Sequence, residues 1–182
     1  ARQAMTQASQ QARRAADVLA RLRRLIERPQ AGAPRQALRL RPLLEGALDL
    51  LEADLRRLGV RAQVDVEPST LAVQAEPVAA EQIVHNLLAN ALQALAQVPA
   101  SERELRLRAR AEGDRVRLAV RDSGPGIAPE VLPRLFEPFF TTRGDGLGLG
   151  LSLCETLALA QAGRLGAANA ASRGAEFTLE LP

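Results

Sequence analysis
No lysine, tryptophan or tyrosine occurs in the 182 residues, and cysteine, histidine and methionine occur once each. Each absence removes a class of chemistry. Without lysine there is no P-loop ending in Gly-Lys-Ser/Thr and no Schiff-base nucleophile. One cysteine, Cys154, cannot close an intrachain disulfide, which fits a reducing compartment. Its apolar surroundings predict a buried, inert thiol. One histidine and one cysteine cannot build a zinc site, and no nucleophile elbow accompanies them. The four aromatic residues are Phe136, Phe139, Phe140 and Phe177, so the core must be aliphatic. No apolar run reaches the ~20 residues that span a bilayer, and no signal peptide is visible. The chain begins at Ala1, which reads as a piece cut from a longer protein.

What is present begins with arginine. All 24 basic residues are Arg, and they are unevenly placed. Residues 1–41 hold ten against Asp17 and Glu27, a net charge of +8, and residues 42–182 are net −5. Nothing aromatic is interleaved with these arginines, which argues against single-strand nucleic-acid binding. We read them as the solvated face of a helix. Met5, Ala8, Ala12, Ala15, Leu19, Leu22 and Ile26 follow a 3-4 spacing over three heptads, predicting a helix over 2–28 with a seam of roughly 30 Å. Such a seam needs a partner helix. Pro29, Gly32 and Pro34 then mark a linker.

Residues 41–58 carry a broad apolar helical face that Gly59 ends. Val60, Ala62, Val64 and Val66 alternate as a strand does. A helix is expected over 78–97, a hairpin from 104–111 and 115–121, a long Gly- and Pro-rich loop over 122–148, a helix over 149–162, and strands near 163–169 and 175–181. The sum is an α+β fold, with a mixed sheet covered on one face by helices.

Three segments carry candidate chemistry. Asn86 and Asn90 lie four apart on one helical face, with Ile83, Leu87 and Ala91 free to face the core. An amide oxygen there can hold Mg²⁺, although a plain polar helix face is equally compatible with the pair. Asp122-Ser123-Gly124-Pro125-Gly126-Ile127 follows a strand. Its acid can accept from a purine amino group, and its glycines let backbone approach a flat ring; the alternative is a simple turn. Gly144 through Leu151 place alternating glycines ahead of a helix, where N–H groups favour phosphate; the alternative is a hinge.

In order and spacing these segments resemble the N, G1, F and G2 boxes of the GHKL ATP-binding family, and within it the sensor histidine kinases. The F box would be Leu135-Phe136-Glu137-Pro138-Phe139-Phe140-Thr141-Thr142-Arg143, the most specific phrase of the set. The ending from Gly174 to Pro182 also looks like the close of that domain. The resemblance covers about 38–182 and implies a Bergerat-type α/β sandwich. Residues 1–30 resemble the second helix of the dimerisation and phosphoacceptor hairpin, with 31–37 as linker.

The resemblance implies the following roles. Asn90 would ligate Mg²⁺ bridging the ATP phosphates, and Asn86 would support metal or phosphate. Asp122 would read the adenine amino group, with Gly124 and Gly126 packed at the base and Ile127 lining it. Residues 128–145 would form a lid anchored by Phe136, Phe139 and Phe140. Thr141, Thr142 and Arg143 would lie against the nucleotide, and Gly146, Leu147, Gly148 and Leu149 would cradle its phosphates. Gln93 stands where many relatives carry a cation, so phosphate contact falls to Arg143. His85 is followed by Asn86 rather than an acid, so the phosphoacceptor is expected upstream of Ala1.

The implied reaction is γ-phosphoryl transfer from ATP to a histidine outside this chain, catalysed by Asn86 and Arg143, for relay to a response-regulator receiver. The implied setting is cytoplasmic. The parent would be a homodimer through the N-terminal helix, reaching a membrane only through upstream segments, and the +8 arm would suit an acidic receiver. GHKL motor ATPases use a Glu to activate water where Asn86 stands, which disfavours hydrolysis. A nucleotide-holding scaffold and an anti-sigma-type serine kinase are the remaining alternatives, and the paired-helix seam disfavours the latter.

Overall fold
The computed structural model describes residues 34–142 and 147–182. The expected helix over 2–28, Arg143 and Gly146 lie outside the described residues.

Strand β1 (Gln36–Arg39) leads directly into helix α1 (Leu40–Leu50) and helix α2 (Glu52–Leu58). The apolar face reads as one helix from 41 to 58, but the chain tightens at Leu51, whose N–H donates to the Leu48 carbonyl, before helix resumes. Gly59 closes α2 at φ 64°, a left-handed conformation that glycine adopts without steric cost. Strands β2 (Arg61–Glu67) and β3 (Ala72–Ala75) follow, then helix α3 (Pro77–Leu95). Strands β4 (Glu104–Glu112) and β5 (Arg115–Asp122) form the expected hairpin around Gly113. The loop after β5 contains only a 3-10 turn at Leu132–Arg134 among its described residues. Helix α4 (Gly150–Ala160) and strands β6 (Arg164–Asn169) and β7 (Ala175–Leu181) complete the chain.

The main sheet has the order β2-β4-β5-β7-β6. Only β2 and β4 run parallel; the other neighbours are antiparallel. The sheet is therefore mixed, as expected. A second, two-stranded sheet pairs β1 with β3 antiparallel. Neither of these strands is anticipated from the sequence, and β1 begins inside the stretch read as linker.

Alternation makes the sheet two-faced. Leu105, Leu107, Val120, Leu118 and Leu179 turn inward and are buried, and α3 covers them with Ile83, Val84, Leu87 and Leu88, all 0% exposed. Each fully buried aliphatic side chain contributes about 1.5–3 kcal/mol. The opposite face is a lattice of charge, including Arg110–Asp65 at 2.7 Å and Arg61–Glu104 at 2.9 Å. Exposed pairs of this kind stabilise by at most ~1 kcal/mol each. They keep the open face wet and place the core, and the chemistry, on the helical side.

Candidate functional site
Helix α3 is the spine of the site. Pro77 occupies its first turn, where no N–H is needed. The Glu76 carboxylate caps it, accepting from the N–H of Val78 at 3.0 Å and of Ala79 at 2.6 Å. Ile83, Leu87 and Ala91 are buried as expected, and Asn86 and Asn90 lie beside them at the half-buried edge of that face. The Asn90 amide makes no hydrogen bond among the described residues and is half-buried, so its oxygen is available to a ligand. Asn86 is placed differently, because its amide lies beside the sulfur of Cys154 on α4 and acts against the rise that burial imposes on that thiol. That sulfur also lies 3.9 Å from the Ile83 carbonyl. Burial pushes the Cys154 thiol up to about 12, so it is inert at neutral pH. His85 stands exposed on the same helix.

The segment from Asp122 to Ile127 leaves the end of β5, where Asp122 pairs in register with Leu105. Asp122 is only 3% exposed. Its Oδ1 accepts from the N–H of Gly124 at 2.8 Å and of Ala175 at 3.4 Å. Oδ2 takes neither bond and is free to accept from a ligand. Burial pushes the carboxyl above its ordinary value of 3.8, while the two N–H groups act in the opposite direction. Gly124 lies so close to α3 that an added Cβ would sit 2.9 Å from the Ala94 Cβ. The loop therefore rests on the helix one turn beyond Asn90.

The loop after Ile127 returns to the G2 segment through backbone. The Phe139 N–H donates to the Gly148 carbonyl at 3.0 Å. Gly148 has φ 65°, and a Cβ there would lie 2.5 Å from the Phe139 carbon and the Phe140 oxygen. Only glycine fits. Phe139 is itself at φ 65° and 68% exposed, so its contact with Gly148 is made by backbone and not by its ring. Phe136 and Phe140 are half-buried, and the Arg134 guanidinium stacks 4.3 Å above the Phe140 ring. Thr141 and Thr142 are exposed. Leu147 is half-buried, and Leu149 is buried at the start of α4.

The structure thus gathers Asn86, Asn90 and Gly124 along α3, and joins Gly148 to the F-box phrase. It adds two residues that sequence reasoning missed. Gly174, at φ +86°, packs so tightly under Asp122 that a Cβ would sit 1.8 Å from the Asp122 carbonyl oxygen. Asn169 hydrogen-bonds both backbone groups of Ile127. Gly174 falls in a recognisable closing phrase, but an asparagine at a strand end gives no signal of its own. Among the described residues no three His, Cys, Asp or Glu cluster to hold a metal. A cation here would be shared between an amide oxygen and a ligand's own oxygens, which suits Mg²⁺ with nucleotide phosphates.

Comparison with known proteins agrees with this fold. Residues 75–182 match the histidine kinase-, DNA gyrase B-, and HSP90-like ATPase family. The chain is 36% identical over 180 residues to the sensor protein FixL of Bradyrhizobium diazoefficiens, covering 98% of this chain and 35% of FixL. Full-length ShkA in complex with AMPPNP is similar at TM-score 0.77 and 27% identity, over 91% of this chain and 36% of that one. The histidine kinase ThkA in complex with the response regulator TrrA is similar at TM-score 0.70 and 26% identity, over 81% of this chain and 41% of that one. The chain spans about a third of the length of the curated relatives it matches. Among the described residues no helix is long and apolar enough to cross a membrane. With four boxes in order, a helix-covered mixed sheet and these relatives, the chain belongs to the histidine kinase-, DNA gyrase B- and HSP90-like ATPase family, and its folded domain is an ATP-binding catalytic domain of the sensor histidine kinase type.

Proposed function
We propose that this domain binds Mg²⁺-ATP and transfers the γ-phosphoryl group to a histidine outside the chain, for relay to an aspartate on a response-regulator receiver. The observation that carries the reading is the half-buried Asn90 amide, without a hydrogen bond among the described residues, on the same helix face as Asn86, with the buried Asp122 loop resting one turn further along. Asp122 would accept from the adenine amino group through Oδ2. Gly124 and Gly126 would let backbone lie flat against the base, and Ile127 would cover it. Asn90 would hold Mg²⁺ through its amide oxygen, with Asn86 beside the phosphates. Bound there, the cation neutralises charge on the transferring group. Thr141, Thr142 and Arg143 would meet the phosphates from the lid, while Gly146, Leu147, Gly148 and Leu149 would offer N–H groups ahead of α4.

Asn86 supports transfer over hydrolysis, because an amide cannot deprotonate water. The AMPPNP held by ShkA and the regulator held by ThkA support the same nucleotide and partner class for this chain. The parent would work in the cytoplasm as a homodimer through the helical pattern at 2–28. The first test is calorimetric titration of the chain with AMPPNP and Mg²⁺. Asn90→Ala should lower affinity at least ~10-fold in Mg²⁺ and far less in EDTA. Equal losses in both conditions would remove Asn90 from the metal.

A further inference from the structure
Asn169 is the last residue of β6, outside every motif described above. Its Nδ2 donates to the Ile127 carbonyl at 2.7 Å, and its Oδ1 accepts from the Ile127 N–H at 2.7 Å. The side-chain amide thus pairs with Ile127 as a neighbouring strand would. Both polar backbone groups of Ile127 are engaged, so its N–H is no longer available to a ligand. The approach is close: a Cβ on Gly126 would lie 2.9 Å from the Asn169 Oδ1, and Gly126 itself has φ +83°.

The turn that follows Asn169 holds the other end of the same loop. The Ala170 N–H donates to the Gly174 carbonyl at 2.9 Å. Gly174 lies against the Asp122 carbonyl, and the Ala175 N–H reaches the Asp122 Oδ1 at 3.4 Å. Residues 169–175 therefore grip the Asp122–Ile127 segment at both ends from the sheet edge.

We propose that Asn169 is a positioning residue that sets base selectivity. It contacts no base. It fixes Ile127, the apolar wall, at a set distance from the Asp122 carboxylate, so that a ring seated on the wall presents its exocyclic amino group to Oδ2. Released from Asn169, Ile127 loses its only side-chain hydrogen-bond partner among the described residues, and the wall shifts relative to the acid. Adenine then loses its aligned hydrogen bond, while a purine without that amino group has no such bond to lose.

This inference rests on Asp122–Ile127 receiving adenine, and the test separates the two. Wild type, Asn169→Ala and Asn169→Asp, each as the full chain, are titrated with ATP and with inosine triphosphate, alongside thermal melts. Wild type should prefer ATP by at least ~10-fold. Asn169→Ala should weaken ATP about 10-fold and inosine triphosphate less than about 2-fold, so that the preference collapses. Asn169→Asp, which keeps the acceptor for the Ile127 N–H, should recover part of it. An intact preference in Asn169→Ala, or equal losses of both nucleotides, overturns the inference alone. No preference in wild type overturns the reading of the site and the inference with it.

Discussion
In the proposed function, reading of the base falls to one carboxyl, that of Asp122. It is buried at a strand end, tied through Oδ1 and open at Oδ2. Asp122→Asn keeps the acceptor for Gly124 and places an NH₂ where Oδ2 stood, facing the adenine amino group donor to donor. ATP affinity should fall on the order of 100-fold, and inosine triphosphate, whose ring carries a carbonyl there, should be spared; titration of both nucleotides checks this. The same carboxyl has a pH signature. Burial raises its folded pKa above 3.8, so the folded chain binds a proton where the unfolded chain does not. Its contribution to stability is full in acid and is lost as pH rises through the raised value. Melting temperature plotted against pH should carry that slope in wild type and lack it in Asp122→Asn.

At the scale of elements, α3 does most of the positioning, and its first turn depends on Glu76. Glu76→Ala removes both cap bonds and should cost about 1 kcal/mol in urea unfolding, with Glu76→Gln closer to wild type. Helix α3 and the β4–β5 hairpin are legible in the sequence, because Ile83, Leu87 and Ala91 repeat at helical spacing and Leu105, Leu107, Val116, Leu118 and Val120 alternate. Strands β1 and β3 are not. Each is four residues long, Ala72-Val73-Gln74-Ala75 offers little alternation, and pairing with a distant strand creates them. The break at Leu51 is hidden by an apolar face that continues across it. Asn86, Asn90, Asp122 and Gly124 stand out in the sequence as candidates because their residue types suit a ligand. Asn169 and Gly174 are not, because their roles are contacts with the backbone of a loop 40 residues or more earlier in the chain.

At the scale of the whole molecule, the charged open face of the sheet and the aliphatic helical face put every candidate site residue among the described ones on the helical side or the loops that border it. The domain carries a nucleotide site, and its one described histidine, His85, is followed by Asn86 rather than by an acid. On the proposed function, this domain therefore transfers the phosphoryl group in trans. The most direct test supplies γ-labelled ATP and Mg²⁺ to this chain, together with a separate hairpin fragment bearing the parent's phosphoacceptor histidine, with Asn90→Ala as control. Acid-labile, alkali-stable label is expected on the fragment and absent in the control. Release of free phosphate with no labelled protein would contradict it, marking the domain as a hydrolase and overturning the role given to Asn86.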